Sequence, residues 1–211
     1  MNLRRLALGL PLLLLPLAAS AQDAKIAPYG GPFRLSSSTF AEGSTLPIGV
    51  IDNNVVNGAN ACSSDGSPGG DQSPELSWSR APAGTQSFAV TLYDTTAAFT
   101  HWGIYNIAPK ASGLPAGAGV AASTYGEQIV NDFGAAAEYD GPCPPAGVAP
   151  DVHHYVFTVY ALDVTLSLPS STNFPANSET LEHALFAAAL EGHVLAKASL
   201  TGLYSSTPAN P

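Results

Sequence analysis

After the first two dozen residues, apolar and polar positions alternate with a period of two, and turn-forming residues separate the runs. Residues 87–94 set Phe88, Val90 and Leu92 against Thr91 and Tyr93 and end on Asp94, the pattern of a half-buried strand. Residues 101–107 form a second strand after a connection of six residues. Residues 155–162 are β-branched and aromatic enough for a central strand, with His153 and His154 just before it. A last strand alternates Val194, Ala196, Ala198, Leu200, Gly202 and Tyr204 with Lys197, Ser199 and Thr201. One helix is predicted, over 179–191. Ser178 is its expected cap, Glu179 and Glu182 favour the dipole of the first turn, and Gly192 ends it. Its apolar stripe is Leu181, Leu185, Ala188 and Ala189; His183 reads as a solvated helix residue and His193 as a packed turn residue. Pro- and Gly-rich stretches at 62–74, 114–119 and 141–150 are loops. With no repeat and no linker, short strands, long loops and one late helix predict a mainly β fold: an antiparallel β-sandwich with few peripheral helices.

The N-terminus follows another logic. Arg4 and Arg5 precede an apolar stretch from Leu6 to Leu17, and Ala19, Ser20 and Ala21 follow it. This is the layout of a secretory signal peptide, with cleavage expected after Ala21 and a single domain over 22–211. The stretch is interrupted by Pro11 and Pro16 and is shorter than the ~20 residues that span a bilayer, so no integral membrane segment is expected in the mature chain. The expected location is periplasmic or secreted.

Charge narrows the partners. Only 11% of the 211 residues are charged, and the formal net charge is −9. Removing 1–21 takes away two arginines and no acid, leaving five basic against sixteen acidic residues, a net of −11. Nucleic acid is excluded as a partner, because phosphate neutralisation needs a basic face. Cys62 and Cys143 are the two cysteines, and export takes them to an oxidising compartment. A disulfide between them is one reading; two unpaired thiols near each other in a pocket is the other.

The strand pattern brings Asp94, His101, His153, His154 and Tyr155 to strand ends, where carboxylates and imidazoles without partners would be costly to bury. No GxSxG, HExxH, GxxxxGK[ST] or helix-opening GxGxxG motif is present. Two imidazoles and a carboxylate would suit zinc, but adjacent His153 and His154 point to opposite faces of a strand, so no metal and no cofactor is assigned.

Ser73-Pro74-Glu75-Leu76-Ser77-Trp78 and the run from Ala81 to Val90 resemble the opening motif of the phosphatidylethanolamine-binding protein family, specifically its bacterial Raf-kinase-inhibitor-like branch (YbhB/YbcL). The resemblance continues through His101-Trp102 with Tyr105-Asn106-Ile107, Asn131-Asp132-Phe133-Gly134 and Gly141-Pro142-Cys143-Pro144-Pro145. It closes with 153–163 and with Glu191-Gly192-His193-Val194-Leu195-Ala196. It implies a sandwich of two antiparallel sheets with a small cavity for phosphate-like anions, which here would use Asp94, His101, Gly141, Cys143, Pro144, His153 and Tyr155. Loop N–H groups, imidazoles and a tyrosine hydroxyl are suitable donors to such a ligand, and a carboxylate beside them would orient an imidazole or receive an amine. The chain departs from the family at two places. Thr96 stands where the family has a second carboxylate, in a loop without the usual prolines, and His154 stands where the family usually has Arg.

The expected function is an exported, non-enzymatic binding protein for a small anionic or phosphorylated ligand. Two alternatives stand beside it. One is an inhibitor or interaction protein whose target is a kinase or a protease, with export favouring a target outside the cytoplasm. The other is an acid/base enzyme using Asp94 with His101 or His153, which lacks an obvious nucleophile unless Cys143 is reduced.

Overall fold

The computed structural model describes residues 31–134 and 136–208, so the predicted signal peptide lies outside the described residues. In chain order the strands are β1 (Arg34–Ser36), β2 (Val55–Val56), β3 (Ala59–Asn60), β4 (Leu76–Ser79) and β5 (Ser87–Asp94). They continue as β6 (Phe99–Ile107), β7 (Gly113–Leu114), β8 (Glu127–Gln128), β9 (His153–Leu162) and β10 (Val194–Tyr204), with helix α1 (Ser178–Leu190) before the last strand. Five strands make an antiparallel sheet in the order β10-β9-β5-β6-β8, and β1-β4-β7 make a second antiparallel sheet. β2 and β3 form a separate hairpin. The predicted mainly β sandwich is therefore the observed architecture.

The period-two pattern explains which faces meet. Phe88, Val90 and Leu92 of β5, Trp102 and Ile104 of β6, and Tyr155, Phe157 and Val159 of β9 are buried in one cluster with Leu76 and Trp78 of the smaller sheet. Trp78 packs on Phe88 with ring centroids 5.1 Å apart, and its indole N–H donates to the Ala111 carbonyl at 2.9 Å. Each such side chain contributes about 1.5–3 kcal/mol on burial, so this seam between the sheets dominates stability.

Strand β5 is more buried than an alternating pattern implies, because its other face is also covered. Ala89 joins Tyr105, Ile129, Leu162, Leu181, Leu185 and Ala188 in a second cluster beneath α1. Gly103 makes this possible: a Cβ there would meet Leu181 Cδ2 at 2.6 Å and Ile129 Cδ1 at 2.7 Å. The helix differs from expectation in two respects. Asn177, rather than Ser178, is the cap: its side chain accepts from the Thr180 N–H at 3.0 Å, and the Thr180 hydroxyl oxygen accepts from the Asn177 N–H at 2.9 Å. This capping box starts the helix one residue early and frees the Ser178 hydroxyl to donate to Asp132. Ala189 is exposed, because the buried stripe of Leu181, Leu185 and Ala188 is narrow. The connection between β5 and β6 is four residues rather than six, since pairing already begins at Asp94 and Phe99.

Candidate functional site

Four of the predicted residues lie at one end of the inner face of the larger sheet. Asp94 closes β5 directly opposite Tyr155 of β9, and His153 lies two residues before Tyr155, on the same face. His101 reaches that face through a bulge. Leu92 pairs with Trp102 while Tyr93 pairs with Thr100, so His101 is the extra residue on β6. The bulge lets His101 and Trp102 both be buried, against the strict alternation of a regular strand.

The hydrogen bonds fix the polarity of the cluster. His153 Nδ1 lies 2.6 Å from Asp94 Oδ2, and both residues are buried, at 6% and 2% exposure. The other Asp94 oxygen accepts the N–H groups of Thr96 and Ala97 at 2.8 and 3.1 Å, which holds the short β5–β6 turn. His101 Nδ1 lies 3.0 Å from the Asp140 carbonyl, which only accepts, so Nδ1 carries the proton. Burial lowers the His101 pKa below the ordinary imidazole value, opposed by the Asp140 carbonyl and then by the Asp94 charge. Tyr155 lies between the imidazoles, its ring centroid 5.3 Å from that of His101 and 6.3 Å from that of His153. Its hydroxyl is buried and, among the described residues, meets no partner in hydrogen-bond geometry, although Asp94 lies near enough to act on it. Burial, and then the Asp94 charge, push the phenol far above its ordinary range, so it is a neutral donor.

The Gly/Pro loop meets the site differently from expectation. Gly141 cannot offer its N–H to a ligand, because Asp71 Oδ1 accepts it at 2.8 Å. A side chain at Gly141 would run into the Val50 carbonyl at 2.3 Å and the Asp52 N–H at 2.5 Å, so the residue is a packing requirement. Pro142, Pro144 and Pro145 have no N–H. Among the described residues, the Cys143 N–H has no hydrogen-bond partner and is the open backbone donor of the stretch 141–145. The Cys143 sulfur is joined to Cys62 in a disulfide with a Cα–Cα distance of 4.5 Å, which leaves no thiol to act as a nucleophile. Asp52, Cys62 and Cys143 place three ligand-type atoms within 4.8 Å of one another, but bonded sulfurs are not thiolates and do not suit a metal.

Three supporting residues escaped the sequence reading. Asn131 Nδ2 donates to the His101 carbonyl at 3.0 Å and to Asp140 Oδ2 at 2.5 Å, tying the bulge to the loop. Asp71 anchors Gly141, and burial pushes its pKa up to about 6, helped by the charges of Asp52, Asp140 and Glu138. Phe133 flanks His101 at 5.5 Å and Phe99 at 4.7 Å, yet remains exposed, forming an aromatic rim. The run 131–134 was the available signal for Asn131 and Phe133; nothing local marks Asp71, which is distant in the chain.

His154 is exposed on the opposite face from His153, as alternation predicts. The two positions that depart from the family pattern touch each other: Thr96 Oγ1 accepts the His154 N–H at 3.1 Å and lies 3.5 Å from its Nδ1. A cavity of about 450 Å³ lies across the sheet from the cluster, between α1 and the outer face, lined in part by Thr91, Tyr93, Thr158, Leu185, Phe186 and Lys197. It does not coincide with the buried titratable cluster, whose partnered carboxylate and imidazoles are the more specific chemistry.

A family model described as Phosphatidylethanolamine-binding protein matches residues 36–205. The chain is similar to the UPF0098 protein YbcL of Escherichia coli, 39% identical over 147 residues covering 66% of this chain and 74% of that protein. It is also similar to the UPF0098 protein YbhB of the same organism, 34% identical over 179 residues covering 82% of this chain and 99% of that protein. The crystal structure of Escherichia coli YbcL, described as a new member of the mammalian PEBP family, superposes with a TM-score of 0.65 at 31% identity, covering 82% of this chain and 98% of that one. The chain belongs to the phosphatidylethanolamine-binding protein family, in the branch that contains YbhB and YbcL.

Proposed function

We propose that this protein is an exported, non-catalytic binder that takes a small phosphate-type ligand at the Asp94, His101, His153 and Tyr155 cluster. The observation that carries the reading is the Tyr155 hydroxyl, buried between two imidazoles and, among the described residues, without a partner in hydrogen-bond geometry. A buried unsatisfied hydroxyl costs about 1–3 kcal/mol, and a ligand oxygen removes that cost. Cys143 contributes its free N–H, Pro144 shapes the wall, and Gly141 acts through packing. The family description names phosphatidylethanolamine, whose headgroup offers the same phosphate chemistry as a free phosphomonoester.

The disulfide supports export, because such bonds persist in oxidising compartments. It also weighs against nucleophilic catalysis, since it occupies the only thiols. Asp94 and His153 remain an acid/base pair in geometry, but no nucleophile stands beside them. Nothing on the described surface favours a kinase or protease target over a small ligand.

The test is a thermal-shift panel of phosphorylated small molecules, glycerophosphoethanolamine and inorganic phosphate. Stabilisation of the wild type that Tyr155→Phe reduces is the expected result. A panel that leaves wild type and Tyr155→Phe equally unshifted overturns the reading.

A further inference from the structure

The charge around this cluster is of the wrong sign for an anion. Asp94 is in direct contact with His153, Asp140 and its carbonyl flank His101, and Asp71, Asp52 and Glu138 stand behind the Gly141 loop. Asp132 lies beside the entry to β6, accepting the Thr100 N–H at 2.7 Å. Among the described residues no fixed cation stands beside them. Arg34 sits in β1 of the other sheet, Arg80 lies against Gly31, Lys110 follows β6, and Lys197 lines the groove on the outer face of β10. His154, where the family usually has arginine, is exposed on the far face and engaged with Thr96.

The donors are also nearly all committed. The Gly141 N–H is held by Asp71, and each imidazole has Nδ1 turned to an oxygen, of Asp140 for His101 and of Asp94 for His153. In a neutral ring with Nδ1 protonated, Nε2 is an acceptor. With the His101 ring neutral, the site offers one phenol donor, one amide donor and the His101 ring acceptor, and an unprotonated anion oxygen placed against that lone pair is repelled.

We infer that the cluster binds its anion only together with a proton, held between the ligand and the imidazole of His101, so that affinity rises as the pH falls. The inference rests on the proposed anion-binding reading and specifies its ligand class: an acid taken up in protonated form, or a non-titrating anion that draws the proton onto the protein. The proton comes from solvent and no covalent bond changes. Protonation turns one Nε2 from acceptor to donor, matches the ligand oxygen, and supplies the single positive charge that the surrounding carboxylates favour. Burial keeps the His101 ring neutral while the site is empty, so the proton must arrive with the ligand. Tyr155 contributes its hydroxyl hydrogen in either state, and so recognises the ligand without sensing pH.

Inorganic sulfate is the deciding probe, because it does not titrate near neutrality and any proton taken up belongs to the protein. Titration calorimetry of the mature protein in buffers of different ionisation enthalpy reads protons bound per sulfate. The expected result is uptake approaching one proton near pH 7.5, with Kd tightening up to about tenfold per pH unit towards pH 6. The variant His101→Gln keeps an amide donor and loses the titration. It should bind with a flattened pH profile, and a cooperative thermal unfolding transition at pH 8 establishes that it is folded. Sulfate binding with no proton uptake and a level pH profile overturns this inference while leaving the anion-binding reading intact. No binding of sulfate, phosphate or a phosphomonoester between pH 5 and 8 overturns both.

Discussion

At the scale of single residues, Asp94 has two tasks that share one carboxylate. One oxygen receives His153 and the other closes the turn to β6, so its neighbourhood is satisfied only when both oxygens accept. Asp94→Asn places an amide N–H against one of these donors, and urea unfolding at pH 7 should show a loss of about 2–4 kcal/mol. Tyr155→Phe should behave in the opposite way. It removes a buried hydroxyl that has no partner among the described residues, so the ligand-free variant should be as stable as wild type or up to ~1 kcal/mol more stable while binding phosphate ligands less well. A ligand-free Tyr155→Phe that is markedly destabilised would show that the hydroxyl has a structural partner instead. Asp71 gives a pH signature. Its folded pKa of about 6 lies above the ordinary 3.8, so its stabilising contribution is complete at low pH and is lost as the pH rises through about 6. Asp71→Asn should therefore gain on wild type between about pH 4 and 7, by roughly 1–2 kcal/mol after allowance for solvent screening at this half-buried group. Urea midpoints of the pair measured across that range check the sign.

At the scale of elements, the site depends on an irregularity in β6. A regular strand would bury Trp102 and turn His101 to the other face; the extra residue lets both point inwards. The outer face of the same strand carries Gly103, over which α1 packs. In Gly103→Ala the new methyl group meets Leu181 and Ile129 well inside contact distance. The expected cost is about 1–3 kcal/mol with α1 displaced, read by denaturant unfolding and by amide exchange along the helix. Rapid exchange confined to α1 would locate the strain there rather than in the sheet. The helix start follows the same logic of local satisfaction: Asn177 and Thr180 answer each other's N–H groups, which Ser178 alone does not.

At the scale of the whole molecule, one covalent link joins the ligand loop to the segment that follows β3. The Cys62–Cys143 bridge closes 81 positions of chain, and the chain-entropy treatment values a loop of that size at about 4–5 kcal/mol. Reduction should lower the unfolding midpoint by an amount equivalent to about 2–5 kcal/mol. Because Cys143 also carries an open N–H next to the site, reduction should weaken ligand binding before the protein unfolds. A binding isotherm unchanged by reductant would separate the bridge from the site. The sparse charge and the net of −9 belong to this scale too, since a net negative molecule does not draw an anion towards its pocket over long range.

Sequence periodicity alone determined the large strands, because burial of one sheet face is written every second residue: Phe88, Val90 and Leu92 face the core as their spacing requires. Composition made nucleic acid a poor candidate partner, and the order of motifs from Ser73 to Ala196 identified the family. Alternation likewise separated His153 from His154. Only the tertiary structure decided the rest. A bulge, which depends on the register between two strands, brought His101 to the inner face, and alternation alone could not anticipate it. Asp71 reaches Gly141 across seventy positions of chain and consumes the N–H that the loop composition promised to a ligand. The partner of a buried donor or acceptor is chosen by the packing of distant segments, and that choice left Tyr155 without one.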